Sequence, residues 1–276
     1  ALLELLDDQR FARNVLPDEK QLNQIMIRRL KSDLVNAEGE ALYAQRKLQA
    51  LPALYTPEER AIHRKLDDYC ASREHDAAKV GNAFSTSFVN QLLKKRLFSS
   101  PAAFASTLEK HIATLTNGSQ RKDKDAMSDR ILRKAILRVE EDYADDQEVE
   151  NAQSDAIEEA SRLSHPLTTD QRQMLEDLRA WAQTAKHQVD AKAQAVLDWL
   201  NHNLKTNGQW NERRVILFTE YRTTHQWMHE ILASHGFGGE KLAILHGGIA
   251  QDDREKIKAA FQTSPKDSSV RILLAT

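Results

Sequence analysis

Residues 213–276 read RRVILFTEYRTTHQWMHEILASHGFGGEKLAILHGGIAQDDREKIKAAFQTSPKDSSVRILLAT. Three short apolar runs, at 215–218, 242–245 and 270–275, are bounded by polar or glycine-bearing turns, which is typical of strands buried on both faces. Two segments with helical apolar spacing separate these runs. The order strand, helix, strand, helix, strand predicts parallel strands joined by right-handed crossovers.

Polar residues and glycines follow each predicted strand at its carboxyl end, where open α/β sheets bind their ligands. A threonine hydroxyl, an arginine at a helix start and the N–H groups of glycines can all contact phosphate oxygens. Each motif taken alone is equally consistent with an ordinary strand exit or turn. Together they predict a site that binds the nucleic-acid backbone, formed by Thr219, Glu220, Tyr221, Arg222, His246, Gly247, Gly248 and Thr276.

The motifs at the strand ends resemble those of a known family. The sequences FTEYR at 218–222, HGG at 246–248 and LLAT at 273–276 are similar to motifs in the second RecA-like lobe of superfamily 2 helicases and translocases. The resemblance is to the Swi/Snf type, specifically the bacterial RapA-related group. It implies that these loops grip the nucleic-acid backbone, and that ATP and Mg²⁺ bind between two lobes of the full-length protein but not to this chain alone.

The beginning of the chain resembles the same family. LLELLDDQRF near the start is similar to the segment downstream of the third helicase motif, and IMIRRLKSDL to the segment that follows the first ATPase lobe. This resemblance implies contacts across the cleft or with phosphate for Arg28, Arg29 and Lys31. The alternative is that these three residues are solvated charges at the end of a helix or strand.

The middle of the chain is predicted to be almost entirely helical. Thr56 with Glu59, and Thr168 with Gln171, form capping boxes that begin helices. The apolar line after Thr168 continues to Leu204 and predicts one long helix. We therefore expect a mainly α chain with an α/β part: residues 1–36 end a first RecA-like lobe, 37–207 form a helical insertion domain, and 208–276 form the first half of a second RecA-like lobe.

Charge is unevenly distributed along the helical region. Basic clusters at 94–96 and 121–124 are either solvated surface or phosphate contacts. Residues 139–160 carry ten acidic side chains and no basic one, but their spacing fits no metal-binding loop. We interpret them as a flexible connection or an exposed helix, and we predict no metal site.

Composition limits the classes of function. The 39 basic and 41 acidic residues nearly cancel, so binding of nucleic acid has to rest on local groups. The single Cys70 excludes an internal disulfide and a cysteine zinc site. No apolar run approaches the roughly 20 residues that span a bilayer, so we expect a cytoplasmic protein with no membrane partner.

No catalytic residue is predicted. The sequence contains no Gly-Lys-Ser or Gly-Lys-Thr phosphate loop, no strand ending in paired acids and no nucleophile arrangement. The chain starts without Met and stops after a predicted strand, so we expect an excerpt of a longer protein that does not hydrolyse ATP by itself.

The resemblance implies an ATP-driven translocase on double-stranded DNA, with RNA polymerase or defence-system proteins as further partners. An alternative is a helical protein-interaction module on a degenerate α/β scaffold that binds nothing. A dinucleotide-binding domain is disfavoured because no G-x-G-x-x-G follows the first strand.

Overall fold

The computed structural model describes residues 4–5, 7, 11, 16, 18–27, 29–80, 82–117, 146–162 and 166–276. The chain forms two compact units, Ala1–Leu51 and Pro52–Thr276. Arg28 and the basic cluster at 121–124 lie outside the described residues.

The described residues of the first unit form little regular structure. Its helix α1 spans Glu19–Ile25, and Asp18 begins it with a capping box in which the Gln21 side chain accepts from the Asp18 N–H at 3.4 Å. A 3₁₀ turn at Lys31–Asp33 follows, and an antiparallel bridge joins Val35 to Ala41.

The second unit begins with a helical part, which confirms the mainly α prediction. Its core is built from the apolar stripes of packed helices, with Leu66, Leu93, Phe104, Leu108 and Leu178 fully buried. These helices are α2 (Pro57–Val80), α3 (Ala83–Ser99), α4 (Pro101–Asn117), α5 (Asp146–Arg162) and α6 (Thr169–Ala185).

The predicted capping box at the start of α2 is confirmed and performs a second task. The Glu59 N–H donates to Thr56 Oγ1 at 3.1 Å, and the Thr56 N–H donates to Glu59 Oε2 at 2.6 Å. Glu59 Oε1 also accepts from the Ala191 N–H at 2.8 Å. Ala191 is the first residue of helix α7, Ala191–Leu204, so one carboxylate satisfies N–H groups at two helix starts.

Replacing Glu59 with alanine is expected to lower the free energy of unfolding by about 1–3 kcal/mol, because both helix starts lose an acceptor. Glu58→Ala is the matched control, since Glu58 is exposed in the same first turn. Denaturation by urea measures the difference, and equal losses in the two variants would contradict the double-capping role of Glu59.

The prediction of one long helix after Thr168 is wrong, because helix α6 ends at Ala185 and a second helix begins at Ala191. The Gln188 N–H bonds back to the Ala185 carbonyl at 2.9 Å, and the Trp227 indole donates to the Lys186 carbonyl at 2.9 Å. Asp190 then begins α7 by accepting from the Ala193 N–H at 2.7 Å. The apolar spacing continues from one helix to the next because α6 and α7 each have one buried apolar face.

Where it is described, the acidic segment is a helix that packs along one face. Helix α5 buries Ile157, Ala156 and Ala160 along one face. Its neighbours include α4, and the acidic side chains other than Glu150 lie towards the remaining surface. Of the two alternatives, the connection was therefore wrong and the helix correct for residues 146–162, but the helix is exposed on one side only, since a few well-spaced small and apolar residues suffice to pack a helix.

The α/β part follows α7. A short hairpin pairs Lys205–Thr206 (β1) with Gln209–Trp210 (β2), and Asn207 and Gly208 turn it with φ of 52° and 78°. The order β3-β5-β4 forms a parallel sheet, which confirms the predicted arrangement. Its elements are β3 (Val215–Phe218), α8 (Arg222–Leu232), β4 (Leu242–Leu245), α9 (Gln251–Gln262) and β5 (Ile272–Ala275).

The strands differ in how deeply they are buried. All four residues of the central strand β5 are buried, as predicted. At the edge strand β3, however, Ile216 and Phe218 are exposed, so burial on both faces does not hold there. Packing of α7 and α8 against β5, through residues such as Leu200, Trp227 and Leu274, forms the core of this part.

Candidate nucleic-acid interface at the strand tips

The carboxyl ends of the three parallel strands meet at one edge of the sheet. The Thr219 N–H donates to the Ala275 carbonyl at 2.9 Å, and the Thr276 N–H donates to the Leu245 carbonyl at 3.2 Å. The residues that follow β3, β5 and β4 therefore lie side by side, with Thr276 between Thr219 and His246. Glu220 is exposed beside them.

His246 stands next to a buried histidine that the sequence analysis missed. The rings of His225 and His246 are 5.9 Å apart and nearly perpendicular, at 82°. His225 Nε2 donates to the Leu274 carbonyl at 3.2 Å, which ties helix α8 to the central strand. Burial lowers the pKa of His225, and the nearby Arg222 and His246 lower it further. The His225 ring is therefore held neutral behind His246.

Hydrogen bonds from Arg254 of helix α9 fix the turn that follows His246. Arg254 Nη2 donates to the Gly247 carbonyl at 2.9 Å and lies 3.4 Å from the His246 carbonyl. With its carbonyls bound on this side, the turn leaves Gly248 exposed. Arg254 is thus a positioning residue for the glycine turn, and it was also missed by the sequence analysis.

Tyr221 lies inside the molecule. Its side chain is 2% exposed, and the Arg96 guanidinium from α3 covers the ring at 3.8 Å from the ring centroid. Burial raises the pKa of Tyr221 to about 12. A tyrosine covered in this way supports the start of α8 and does not face a ligand in solution.

A carboxylate from the acidic helix caps the start of α8. The Thr223 N–H donates to Glu150 Oε1 at 3.1 Å, and the Thr223 hydroxyl donates to the same oxygen at 2.8 Å. Arg96 Nη1 also donates to Glu150 Oε1, at 2.9 Å. Glu150 therefore satisfies the N–H group at this helix terminus that an anion would otherwise contact.

A comparison with known protein families identifies this part of the chain. Residues 192–276 match the family described as helicase conserved C-terminal domain. No curated protein and no solved structure gave a match. The match begins within α7 and covers the sheet, so the strand tips belong to a helicase-type C-terminal lobe.

The segment that enters the helicase C-terminal domain has a structural role. Asp190 caps α7, and Lys192 Nζ donates to the Phe98 and Ser99 carbonyls at the end of α3, the latter at 3.2 Å. Burial raises the pKa of Asp190 and lowers that of Lys192. These two residues connect the helicase C-terminal domain to the helical part.

The basic residues near the start of the chain belong to the first unit, whereas the strand tips belong to the second. Arg29 and Lys31 are exposed in the first unit, and Lys31 Nζ lies 5.4 Å from the Tyr43 ring centroid. Arg28 lies outside the described residues.

The described part of the chain offers neither a cluster of metal ligands nor a membrane-spanning helix. There, no group of three or more His, Cys, Asp or Glu side chains is arranged to hold a metal ion. None of the described helices carries an apolar stretch long enough to cross a bilayer.

Proposed function

We propose that this chain is part of an ATP-driven translocase on double-stranded DNA, of the Swi/Snf type. One observation carries the proposal: Thr219, His246 and Thr276 stand side by side at the strand tips of a helicase C-terminal domain. Ligand binding at the carboxyl ends of parallel strands is the general rule for open α/β sheets.

The strand tips offer polar groups to a phosphate oxygen. Thr219 offers a hydroxyl, which lies 3.5 Å from the Ala275 carbonyl. His246 offers a ring nitrogen, and Gly248 is an exposed residue of the turn that follows it. Arg222 adds a positive charge at the start of α8. The formal net charge of −2 gives no general attraction to DNA, so these local groups would carry the binding.

Tyr221, His225 and Arg254 hold the tips in place rather than contacting DNA. His225 bonds to the central strand, and Arg254 bonds to the glycine turn. Tyr221 anchors the first turn of α8 under Arg96. Donors that are fixed before binding lose little conformational entropy when they contact a phosphate.

ATP and Mg²⁺ would be held by residues other than those described here. The described residues offer no carboxylate group arranged for a cation, and the sequence has no Gly-Lys-Ser or Gly-Lys-Thr loop to cradle phosphates. In this proposal the described residues bind and orient the DNA backbone, and other residues form the nucleotide site. RNA polymerase or defence-system proteins in the cytoplasm are the further partners that the family resemblance suggests.

The interaction-module alternative gains no support from the helical part. Among the described residues of α2–α6, the large apolar side chains that are strongly exposed are Phe84 and Phe98, each at 54%. They lie near opposite ends of α3, about 21 Å apart along the helix axis. The Phe98 ring also contacts His63, at 4.8 Å between centroids. Two isolated rings do not form a contiguous docking surface.

Binding to a DNA duplex tests the proposal. The chain is titrated with a labelled duplex of about 30 base pairs over a range of salt concentrations. Changing Arg222 and His246 together to alanine is expected to weaken binding at low salt by at least tenfold and to lower the salt slope by about one to two.

Arg213→Ala with His202→Ala is the matched control, because both side chains are exposed and lie away from the strand tips. The control is expected to bind as the wild type does. Duplex binding that is equally strong in both double variants would overturn the proposed interface.

A further inference from the structure

A polar cavity lies between the start of α8 and the helical part. It has a volume of about 180 Å³ and is lined by residues of α3, α4, α5 and α8. Of its twelve lining residues, Ile157 is apolar and the other eleven are polar or charged. A cavity with so little apolar lining is suited to a hydrated or charged solute, not to an apolar one.

The charges around the cavity are predominantly positive. Arg96, Lys110 and Arg222 line it together with one carboxylate, that of Glu150. Glu150 is already paired with Arg96 Nη1 at 2.9 Å and accepts from Thr223. In the described part of the chain no carboxylate pairs with Arg222 or Lys110, so two positive charges remain uncompensated.

Buried donors without partners point to a missing acceptor. Arg96 Nε and Arg222 Nη1 are both buried and have no hydrogen-bond partner among the described residues. Arg96 is 4% exposed, and its other two nitrogens donate to Glu150 and Gln153. Buried donors are nearly always satisfied in native proteins, so these two nitrogens are available to an acceptor that enters the cavity.

The cavity is open to solutes. Lys110, Ser106 and Asn151 line it and are exposed, whereas Arg96 and Thr107 are buried. Lys110 Nζ donates to the Ser154 hydroxyl across the cavity, which places the ammonium group between α4 and α5. A small anion can therefore enter past the exposed lining and reach the arginines.

We propose that this cavity binds a phosphate group, held by Arg222 and Lys110 with Arg96 behind them. A phosphate has several acceptor oxygens and enough negative charge to pair with both cations. The planar guanidinium group of arginine can donate two parallel hydrogen bonds to its oxygens. The phosphate belongs either to a small phosphorylated molecule or to the backbone of a bound nucleic acid. The site differs from the strand tips because three of its four sides come from the helical part.

Titration of the full chain with inorganic phosphate tests the proposal, with sodium chloride added to keep the ionic strength constant. Saturable binding is expected for the wild type, and Lys110→Gln is expected to weaken it at least tenfold. Lys256→Gln is the matched control, since it removes the same charge from an exposed helical position outside the cavity. It is expected to bind phosphate as the wild type does.

A second measurement covers the case in which the Lys110 variant is destabilised. Phosphate added to the wild type is expected to shift the Nε–H resonances of Arg96 and Arg222 in nitrogen-15 spectra. Absence of saturable binding in the wild type, equal binding by the two variants, or arginine resonances that do not move would each overturn the site.

Competition with the duplex separates the two sources of the phosphate. If the duplex displaces inorganic phosphate, and Lys110→Gln weakens duplex binding, the site contacts the nucleic-acid backbone. If phosphate still binds while the duplex is bound, the ligand is a small phosphorylated molecule. Arg222 belongs to both proposals. The single variants Lys110→Gln, which changes the cavity alone, and His246→Ala, which changes the strand tips alone, therefore distinguish failure of one proposal from failure of the other.

Discussion

Replacing Arg96 with alanine is expected to lower the free energy of unfolding by about 3–5 kcal/mol. Arg96 pairs with Glu150, donates to Gln153 at 2.7 Å and covers the Tyr221 ring. The substitution leaves Glu150, whose side chain is 12% exposed, without its cationic partner, and it opens space above a buried aromatic ring. Chemical denaturation followed by circular dichroism measures the loss.

Two further variants isolate the reason for this loss. Lys95→Ala removes the neighbouring exposed charge from the same helix and is expected to change stability by less than about 0.5 kcal/mol. Arg96→Met combined with Glu150→Gln keeps the volume and removes both charges, so it is expected to recover much of the lost stability. A double variant as unstable as Arg96→Ala would show that the unpaired carboxylate is not the cause.

Acidification below pH 6.5 is expected to destabilise the chain through His111, by about 2–3 kcal/mol between pH 6.5 and pH 4.5. His111 is buried between Tyr69 and Ser161, with Nε2 2.8 Å from the tyrosine oxygen and Nδ1 2.8 Å from the serine oxygen. Burial lowers its pKa from 6.5 to about 3. Between these two pH values the unfolded chain binds a proton that the folded chain does not, so stability falls as the pH falls.

The His111→Gln variant isolates this contribution. It is expected to be less stable at pH 7 by about 1–3 kcal/mol, because it disturbs two buried hydrogen bonds. As the pH is lowered, the free energy of unfolding of this variant should fall less steeply than that of the wild type. The two slopes should differ by up to about 1.4 kcal/mol per pH unit. His202→Gln, at an exposed position, should follow the wild type. Parallel curves for wild type and His111→Gln would contradict a buried, neutral His111.

The sequence was informative wherever the controlling interactions are local. Two of the three predicted strands, at 215–218 and 242–245, coincide with β3 and β4. A run of four apolar residues between polar turns is typical of a short buried strand, and its ends are marked by the turns. Both capping boxes were also correct, since the Thr56–Glu59 and Thr168–Gln171 pairs each bond across three residues. The break between α6 and α7 was missed because the apolar line crosses it.

Contacts between distant segments could not be predicted. Glu150 caps α8 from a position 73 residues away, and Tyr69 meets His111 across 42 residues. Periodicity shows which face of a helix is buried but not which helix covers it. One signal was available for His225: it lies one turn after Tyr221 and one residue after Thr224, on the face of α8 that packs inward. A histidine at such a position has to find a buried partner, here the Leu274 carbonyl.

The corner between α3 and α4 has a mechanical consequence. The Ser99 and Ser100 hydroxyls lie 2.6 and 2.9 Å from the Thr224 hydroxyl, and Lys192 bonds to the last carbonyls of α3. Helix α3 has 17 residues, so it extends about 25 Å from this corner through the core of the helical part. If these bonds transmit a rotation of the helicase domain by about ten degrees to α3, the far end of α3 moves by about 4 Å. A spectroscopic label at the exposed Phe84 would therefore report rotation of the domain.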